Sequence, residues 1–169
     1  MLTVDGCRSM AAYNEVANRR LYAACAELSE DDRTRDRGTF FGSIHGTLNH
    51  LLVGDRIWMA RFQGMTVPST GLDAILYADF AALRSARTEM DAKIRAFMAG
   101  LDDSFLTGTI AYRNNTGRDI RDPVPVLLAH FFNHQTHHRG QVHAMLTQAG
   151  HAGPVLDLHR VLEEAGRDS

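Results

Sequence analysis

Hydrophobic residues recur at steps of three and four along four long segments of the chain. This spacing places them on one face of an α-helix, and such a face is normally buried in a core. It predicts helices over about residues 6–28, 43–62, 77–101 and 123–148, and a short helix over about 156–164. Polar stretches that contain Gly, Pro or Ser separate these segments and are predicted to be loops.

The pattern changes between residues 106 and 120, where apolar and polar positions alternate. Leu106, Ile110 and Tyr112 are interleaved with threonine and alanine, and the run Asn-Asn-Thr-Gly at 114–117 supplies residues typical of turns. A short β-hairpin is therefore predicted between the third and fourth long helices.

The predicted fold class is all-α: a four-helix bundle with a short β-hairpin before the last long helix. Ser43 is predicted to be the N-cap of the second helix, and Asp122 with Pro123 the N-cap and first turn of the last one. A length of 169 residues, of which 44% are hydrophobic and 22% charged, suits a single domain over residues 1–169.

Charge and composition limit the partners that we expect. The net charge is −2, the arginines are spread along the chain, and Lys93 is the single lysine. The concentrated positive field that nucleic acids require is thus missing from the sequence. No segment approaches the roughly 20 apolar residues that span a bilayer, and the N-terminus lacks a basic start and an apolar signal core. We expect a cytoplasmic protein without nucleic-acid or membrane partners.

Two histidines of the last long helix share an apolar stripe. At about 100° per residue, His134 and His138 fall one turn apart on the inward face of the helix. The other members of that stripe are all apolar: Leu127, Phe131, Val142 and Met145. Two imidazoles at this spacing can chelate one metal ion. A shared ion is the favoured interpretation because each buried ring needs partners for both nitrogens; two hydrogen-bonded core histidines are the alternative.

The residues between this pair exclude a peptidase of the H-E-x-x-H type. The sequence from His134 to His138 is His-Gln-Thr-His-His. The glutamate that acts as general base in those enzymes is therefore absent from the motif.

A third ligand is expected from the second helix. His45 and His50 are the candidates, and they point about 140° apart around the helix. His50 lies in the most apolar run of the helix, with Gly54 clearing space one turn on, whereas His45 near the helix start is expected to be exposed. We therefore predict a site formed by His50, His134 and His138. Three neutral imidazoles with an open position are typical of catalytic sites, and zinc or nickel is the predicted ion.

The remaining histidines are assigned lesser roles. His130 and His137 flank the inward stripe and are expected near the mouth of a pocket. Surface positions are expected for His143, His151 and His159.

Four neighbours of the predicted ligands allow further expectations. Asp55 either accepts a hydrogen bond from a ligand histidine or forms a salt bridge with an arginine. Gln141 either contacts a metal-bound water or holds a loop in place. Arg139 is expected to face away from the metal, at the surface or in a dimer contact, and Trp58 is expected in the core.

The histidine-rich segments resemble a known family. Residues 130–143, HFFNHQTHHRGQVH, and residues 47–58, TLNHLLVGDRIW, are similar to the hallmark motifs of DinB/YfiT-like proteins. Residues 13–21 and the loop that ends in Asp122-Pro123 also fit, so the resemblance covers nearly the whole chain.

This resemblance implies a four-helix bundle, often homodimeric, with a divalent metal held by three histidines. The family's ligand positions fall on His50, His134 and His138. Some isomerase relatives carry a glutamate at the position of His134, and this departure argues against an isomerase.

Relatives also include enzymes that use low-molecular-weight thiols such as bacillithiol or mycothiol. The resemblance therefore implies a metal-dependent enzyme, foremost a thiol-dependent transferase that acts on a small molecule. A metal-dependent hydrolase and a non-enzymatic, damage-inducible metal-binding protein are the alternatives.

Overall fold

The computed structural model describes residues 2–114 and 116–165. Its four long helices are α1 (Val4–Ala26), α3 (Ile44–Phe62), α4 (Phe80–Ala99) and α6 (Val124–Gln148). Three short helices complete the helical part: α2 (Glu30–Thr34), α5 (Asp103–Leu106) and α7 (Leu158–Ala165). An antiparallel hairpin of β1 (Thr109–Arg113) and β2 (Asp119–Pro123) precedes α6. The predicted helical bundle with a hairpin before its last long helix is confirmed.

Side-chain caps fix where the helices begin. The Ser43 side chain accepts a hydrogen bond from the backbone N–H of Gly46 and starts α3, as predicted. Asp79 does the same for Ala82 at the start of α4. Such caps satisfy N–H groups that the first turn of a helix leaves without a partner.

The predicted cap of α6 is wrong by one residue. The N-cap is Pro123, and Asp122 makes no capping bond. The reason is that the hairpin continues up to the helix: Asp122 pairs with Ile110 and Pro123 with Thr109. The Asp122 carboxylate instead accepts a hydrogen bond of 2.9 Å from the hydroxyl of Tyr112.

The long helices pack around a common apolar core. Helix α1 lies against α4 and α6, and α3 lies against α6 and α4. Every long helix contributes fully buried side chains, among them Leu21, Leu48, Leu51, Leu52, Leu83, Ile94, Phe131 and Leu146. No described helix is both long and apolar enough to cross a membrane.

A buried polar cluster crosses the middle of this core. Asp55 of α3 receives hydrogen bonds from Arg87 of α4 and Gln135 of α6. Arg87 also pairs with Asp91 at 2.8 Å, and Asp91 accepts a hydrogen bond of 2.9 Å from Asn18 of α1. The salt-bridge alternative for Asp55 is therefore the observed one, and the cluster links all four long helices.

Arg139 belongs to the same cluster, so the prediction of a surface position is wrong. Its side chain is 2% exposed and donates to the Asn14 side chain of α1. The guanidinium carbon lies 5.1 Å from the centre of the Tyr13 ring. Arg139 does face away from the histidines, but that side of α6 is covered by α1 and not by solvent.

Candidate metal centre

The three predicted ligand histidines converge at the contact between α3 and α6. His50 is 4% exposed, and His138 8% exposed, while His134 is partly buried. The Nε2 atom of His50 lies 3.1 Å from Nε2 of His134 and 3.2 Å from Nε2 of His138. One ligand atom from each residue lies within 4.8 Å of the others. The cluster could therefore hold one metal ion.

Hydrogen bonds determine which ring nitrogens face the centre of the cluster. Nδ1 of His50 lies 2.7 Å from the carbonyl oxygen of Leu72, which can only accept, so Nδ1 carries the proton. Nδ1 of His138 likewise lies 2.7 Å from Oε1 of Gln141. In both neutral rings, Nε2 is then an unprotonated acceptor that points at the other ring. Two lone pairs 3.2 Å apart repel each other unless a cation lies between them.

The surroundings keep these imidazoles neutral. Burial, with added repulsion from His138 and His50, lowers the pKa of His134 to about 3. Burial likewise lowers the pKa of His138 to about 4, and burial lowers the pKa of His50, partly offset by its bond to Leu72. Neutral imidazole is the form that binds metal ions.

Two glycines make room for the cluster. A Cβ atom at Gly54 would lie 2.8 Å from Cε1 of His134, so only glycine lets this ring pack against α3. The space that the sequence indicated beside His50 is thus occupied by His134. A Cβ atom at Gly46 would lie 2.2 Å from the carbonyl oxygen of Phe41, so Gly46 lets the preceding loop fold closely over α3.

That loop covers the cluster with an aromatic ring. Phe41 stacks on the imidazole of His50, with ring centres 3.7 Å apart and planes at 17°. Its ring also lies 5.6 Å from that of His138. Phe41 thereby provides an apolar wall that restricts water on one side of the site.

Two contacts to the ligand histidines were missed by sequence reasoning. Leu72 acts through its backbone carbonyl, which leaves no signal in the residue type. Phe41 could have been noticed because Phe40 and Phe41 form an aromatic pair within an otherwise polar stretch.

His45 is not part of the cluster, and its expected exposure is wrong. The residue is 6% exposed, and its Nε2 lies 2.8 Å from the carbonyl oxygen of Tyr77. The segment before α4 returns over the first turns of α3, where the Asn49 side chain also bonds to the backbone of Tyr77. This tertiary contact buries a position that the helix alone would leave open.

Gln141 and the flanking histidines lie beside the ligands. Oε1 of Gln141 accepts from Nδ1 of His138, and Nε2 of Gln141 lies 3.2 Å from Nε2 of His137. Both polar atoms of Gln141 therefore contact residues of its own helix and not a loop. His130 and His137 are exposed, and the ring of His130 lies 6.1 Å from that of His134. The hydrogen-bond partners of Asp55 are Arg87 and Gln135, not one of the three histidines. The acceptors for the Nδ1–H groups of His50 and His138 are instead Leu72 and Gln141.

Comparisons with known proteins identify the family and the fold. The sequence model of the DinB family matches residues 1–168. Protein DinB of Bacillus subtilis (strain 168) is 27% identical over 154 residues, which cover 86% of this chain and 87% of that protein. The crystal structure of a DinB-like protein from Bacillus cereus has a TM-score of 0.66 at 18% identity, over 89% of this chain and 95% of that one, and shows a shared fold. The chain belongs to the DinB family.

Proposed function

We propose that this protein is a metal-dependent enzyme that binds one divalent ion through His50, His134 and His138. The observation that carries the proposal is the pair of unprotonated Nε2 atoms of His50 and His138, 3.2 Å apart. Each ring carries its proton on Nδ1, which donates to the carbonyl oxygen of Leu72 in His50 and to Oε1 of Gln141 in His138. A cation between the rings removes the repulsion of these lone pairs.

The donor set suits zinc or nickel. Nitrogen ligands at about 2.0–2.1 Å from a tetrahedral ion lie a little over 3 Å from one another. The two separations from Nε2 of His50, 3.1 Å to His134 and 3.2 Å to His138, are close to that requirement, and all three ligand atoms lie within 4.8 Å of one another. Imidazole is a good ligand for both ions. Three protein ligands leave the fourth coordination position of a tetrahedral ion open for water or substrate, as in catalytic zinc sites.

A thiol-dependent transferase is the reaction that we favour. When bound at such a site, a divalent ion lowers the pKa of a thiol or water at its open position, so that the nucleophile forms near neutral pH. Neutral ligands preserve the full charge of the ion for this purpose. The chain's own contribution is to hold three imidazoles in fixed tautomers and, through Phe41, to restrict water at one side.

Metal binding is tested by elemental analysis of protein purified without an affinity tag. We expect about one zinc or nickel ion per chain. Single changes of His50, His134 and His138 to Ala should each reduce metal affinity by more than the roughly 10- to 100-fold that losing a hydrogen-bond partner of a ligand costs. His159→Ala is the control because this histidine is exposed on α7. Wild-type metal content in all three variants would refute the proposal.

The reaction class is tested with the metal-loaded protein. A panel of small electrophiles is offered with and without a low-molecular-weight thiol, beside ester and amide substrates. Thiol-dependent conjugation supports the transferase, whereas turnover indifferent to added thiol supports the hydrolase. Loss of thermal stability on chelation without any turnover would support a non-enzymatic, structural role for the metal.

The partner predictions stay predictions. A small-molecule substrate follows from the proposed reaction, and the expected homodimer rests on the family resemblance alone. Light scattering on the purified protein measures the oligomeric state directly. Binding to DNA is not expected because the net charge is −2.

A further inference from the structure

A cation without a counter-charge lies at the end of α3, against the Trp58 ring that also contacts His130. Arg61, in the last turn of α3, extends between two aromatic rings. Its guanidinium carbon lies 4.6 Å from the centre of the Trp58 ring and 4.5 Å from that of Tyr112. One N–H group donates to the backbone carbonyl of Arg113 at 3.2 Å. Within the described residues, no carboxylate pairs with Arg61, and its buried Nε has no hydrogen-bond partner.

This situation differs from those of the two arginines buried in the core. Arg139 is covered by α1 and donates to the side-chain oxygens of Asn14, Asn18 and Gln135. Arg87 is fully enclosed but is paired with Asp55 and Asp91. A partly buried guanidinium has lost hydration and normally recovers the cost through an anionic partner. The two rings hold Arg61 in place and stabilise its charge through their π-faces. Its charge therefore remains available to an anion that comes from outside the chain.

A row of ring contacts leads from Arg61 to the predicted ligands. Trp58 touches both Arg61 and His130, with ring centres of Trp58 and His130 5.1 Å apart. His130 in turn lies 6.1 Å from His134. Trp58 is buried within this row, whereas His130 is exposed, so a small molecule can reach the row from solvent at His130.

We propose that Arg61, with Trp58 and His130 beside it, binds the carboxylate of the small molecule that reacts at the histidine cluster. A guanidinium presents N–H groups in a planar fork that matches the two oxygens of a carboxylate. The exposed imidazole of His130 lies beside the Trp58 ring and can contact the carbon skeleton. The link to a reaction rests on the proposed function; the binding of a carboxylate does not.

The test uses benzoate as a probe and its neutral isostere benzamide as the matched ligand. Trp58 is the only tryptophan, so its single indole N–H resonance in an NMR titration reports binding at this place. We expect a saturable shift with benzoate in the metal-free protein, and binding of benzamide about tenfold weaker or more. Because the protein is metal-free in this titration, a shift cannot arise from benzoate that coordinates a metal ion.

Variants then assign the binding to Arg61. Arg61→Gln should weaken benzoate binding about tenfold or more, and Arg61→Lys should weaken it less because it keeps the charge but loses the fork. Arg121→Gln is the control, since it removes an exposed arginine of the hairpin that carries Tyr112, at a position paired with Ala111 rather than with Tyr112, and it should leave benzoate affinity unchanged. Circular dichroism and metal content of each variant report whether the fold and the cluster are intact.

The outcomes separate this inference from the proposed function. Equal binding of benzoate and benzamide, unchanged affinity in Arg61→Gln, or no saturable response to benzoate would each overturn the carboxylate subsite. If the protein binds no metal but Arg61-dependent benzoate binding persists, the metal-dependent function fails while the subsite stands.

Discussion

Gly54 of α3 and the imidazole of His134 on α6 fit each other in shape. A Cβ atom at position 54 would lie 2.8 Å from Cε1 of His134, closer than carbon atoms of this kind approach one another. Because the backbone of a helix cannot easily move away, a larger residue at this position would have to displace the His134 ring. The contact therefore connects helix packing directly to the position of one predicted metal ligand.

Gly54→Ala should weaken metal binding. Moving the His134 ring away from the other two Nε2 atoms is expected to lower metal affinity about 10- to 100-fold, the range found when the support of a ligand is lost. Competition with a chelator of known affinity measures the change. Gly140→Ala is the matched control on α6, because a Cβ atom there meets nothing within 4 Å. Equal affinities in the two variants would contradict this account of the packing.

Gln141 should tune metal affinity without being a ligand. Gln141→Ala removes the acceptor for Nδ1–H of His138, so the ring loses its preferred tautomer and orientation. We expect metal affinity to fall about tenfold, whereas Gln141→Glu should preserve or raise it because a carboxylate is a stronger acceptor. Gln148→Ala, at an exposed position of the same helix, is the control. Chelator competition measures the affinities, and urea denaturation of the metal-free variants shows whether fold stability has changed.

The sequence contains enough information to predict which three histidines converge but not the contacts that orient their rings. His134 and His138 could be assigned to one face because helical periodicity fixes their directions. His50 followed from its apolar neighbours and from the family resemblance. The acceptors Leu72 and Gln141 could not be predicted in this way. Their contacts depend on the path of the loop that contains Leu72 and on the side-chain conformation of Gln141, and hydrophobic periodicity describes neither.

Failures of prediction share a physical cause. Arg139 and His45 carry polar side chains that were expected at the surface, yet both are buried. Each has a hydrogen-bond partner from a distant part of the chain: Asn14 for Arg139 and the carbonyl of Tyr77 for His45. Such long-range pairing compensates for the lost hydration of a buried polar group, and the pattern of a single segment cannot reveal it.

The buried pair of Asp55 and Arg87 should contribute strongly to stability. Arg87→Ala leaves the Asp55 carboxylate in the core with only Gln135 as a hydrogen-bond donor. Breaking one side of such a pair typically costs about 3–5 kcal/mol in the free energy of unfolding. Arg84→Ala removes an exposed arginine one turn earlier on α4 and should change stability by less than about 0.5 kcal/mol. Urea denaturation of both variants measures the difference.

Stability of the metal-free protein should fall as the pH is lowered through the range in which histidine normally titrates. In the folded chain the pKa values of His134 and His138 are lowered to about 3 and about 4, from 6.5. The unfolded chain therefore takes up protons first, and the stability that is fully present above pH 6.5 is lost progressively as the pH falls towards these folded values.

The size of this loss can be measured by urea denaturation. Between about pH 7.5 and about pH 5, two fully shielded histidines would lose about 4 kcal/mol; because water screens these partly buried rings, we expect about 2 kcal/mol. The His134→Asn, His138→Asn double variant is the comparison, since its side chains do not titrate, and it should lose correspondingly less. A pH dependence identical to that of the wild type would show that these two rings have the same pKa in the folded and the unfolded chain, and would contradict the expectation.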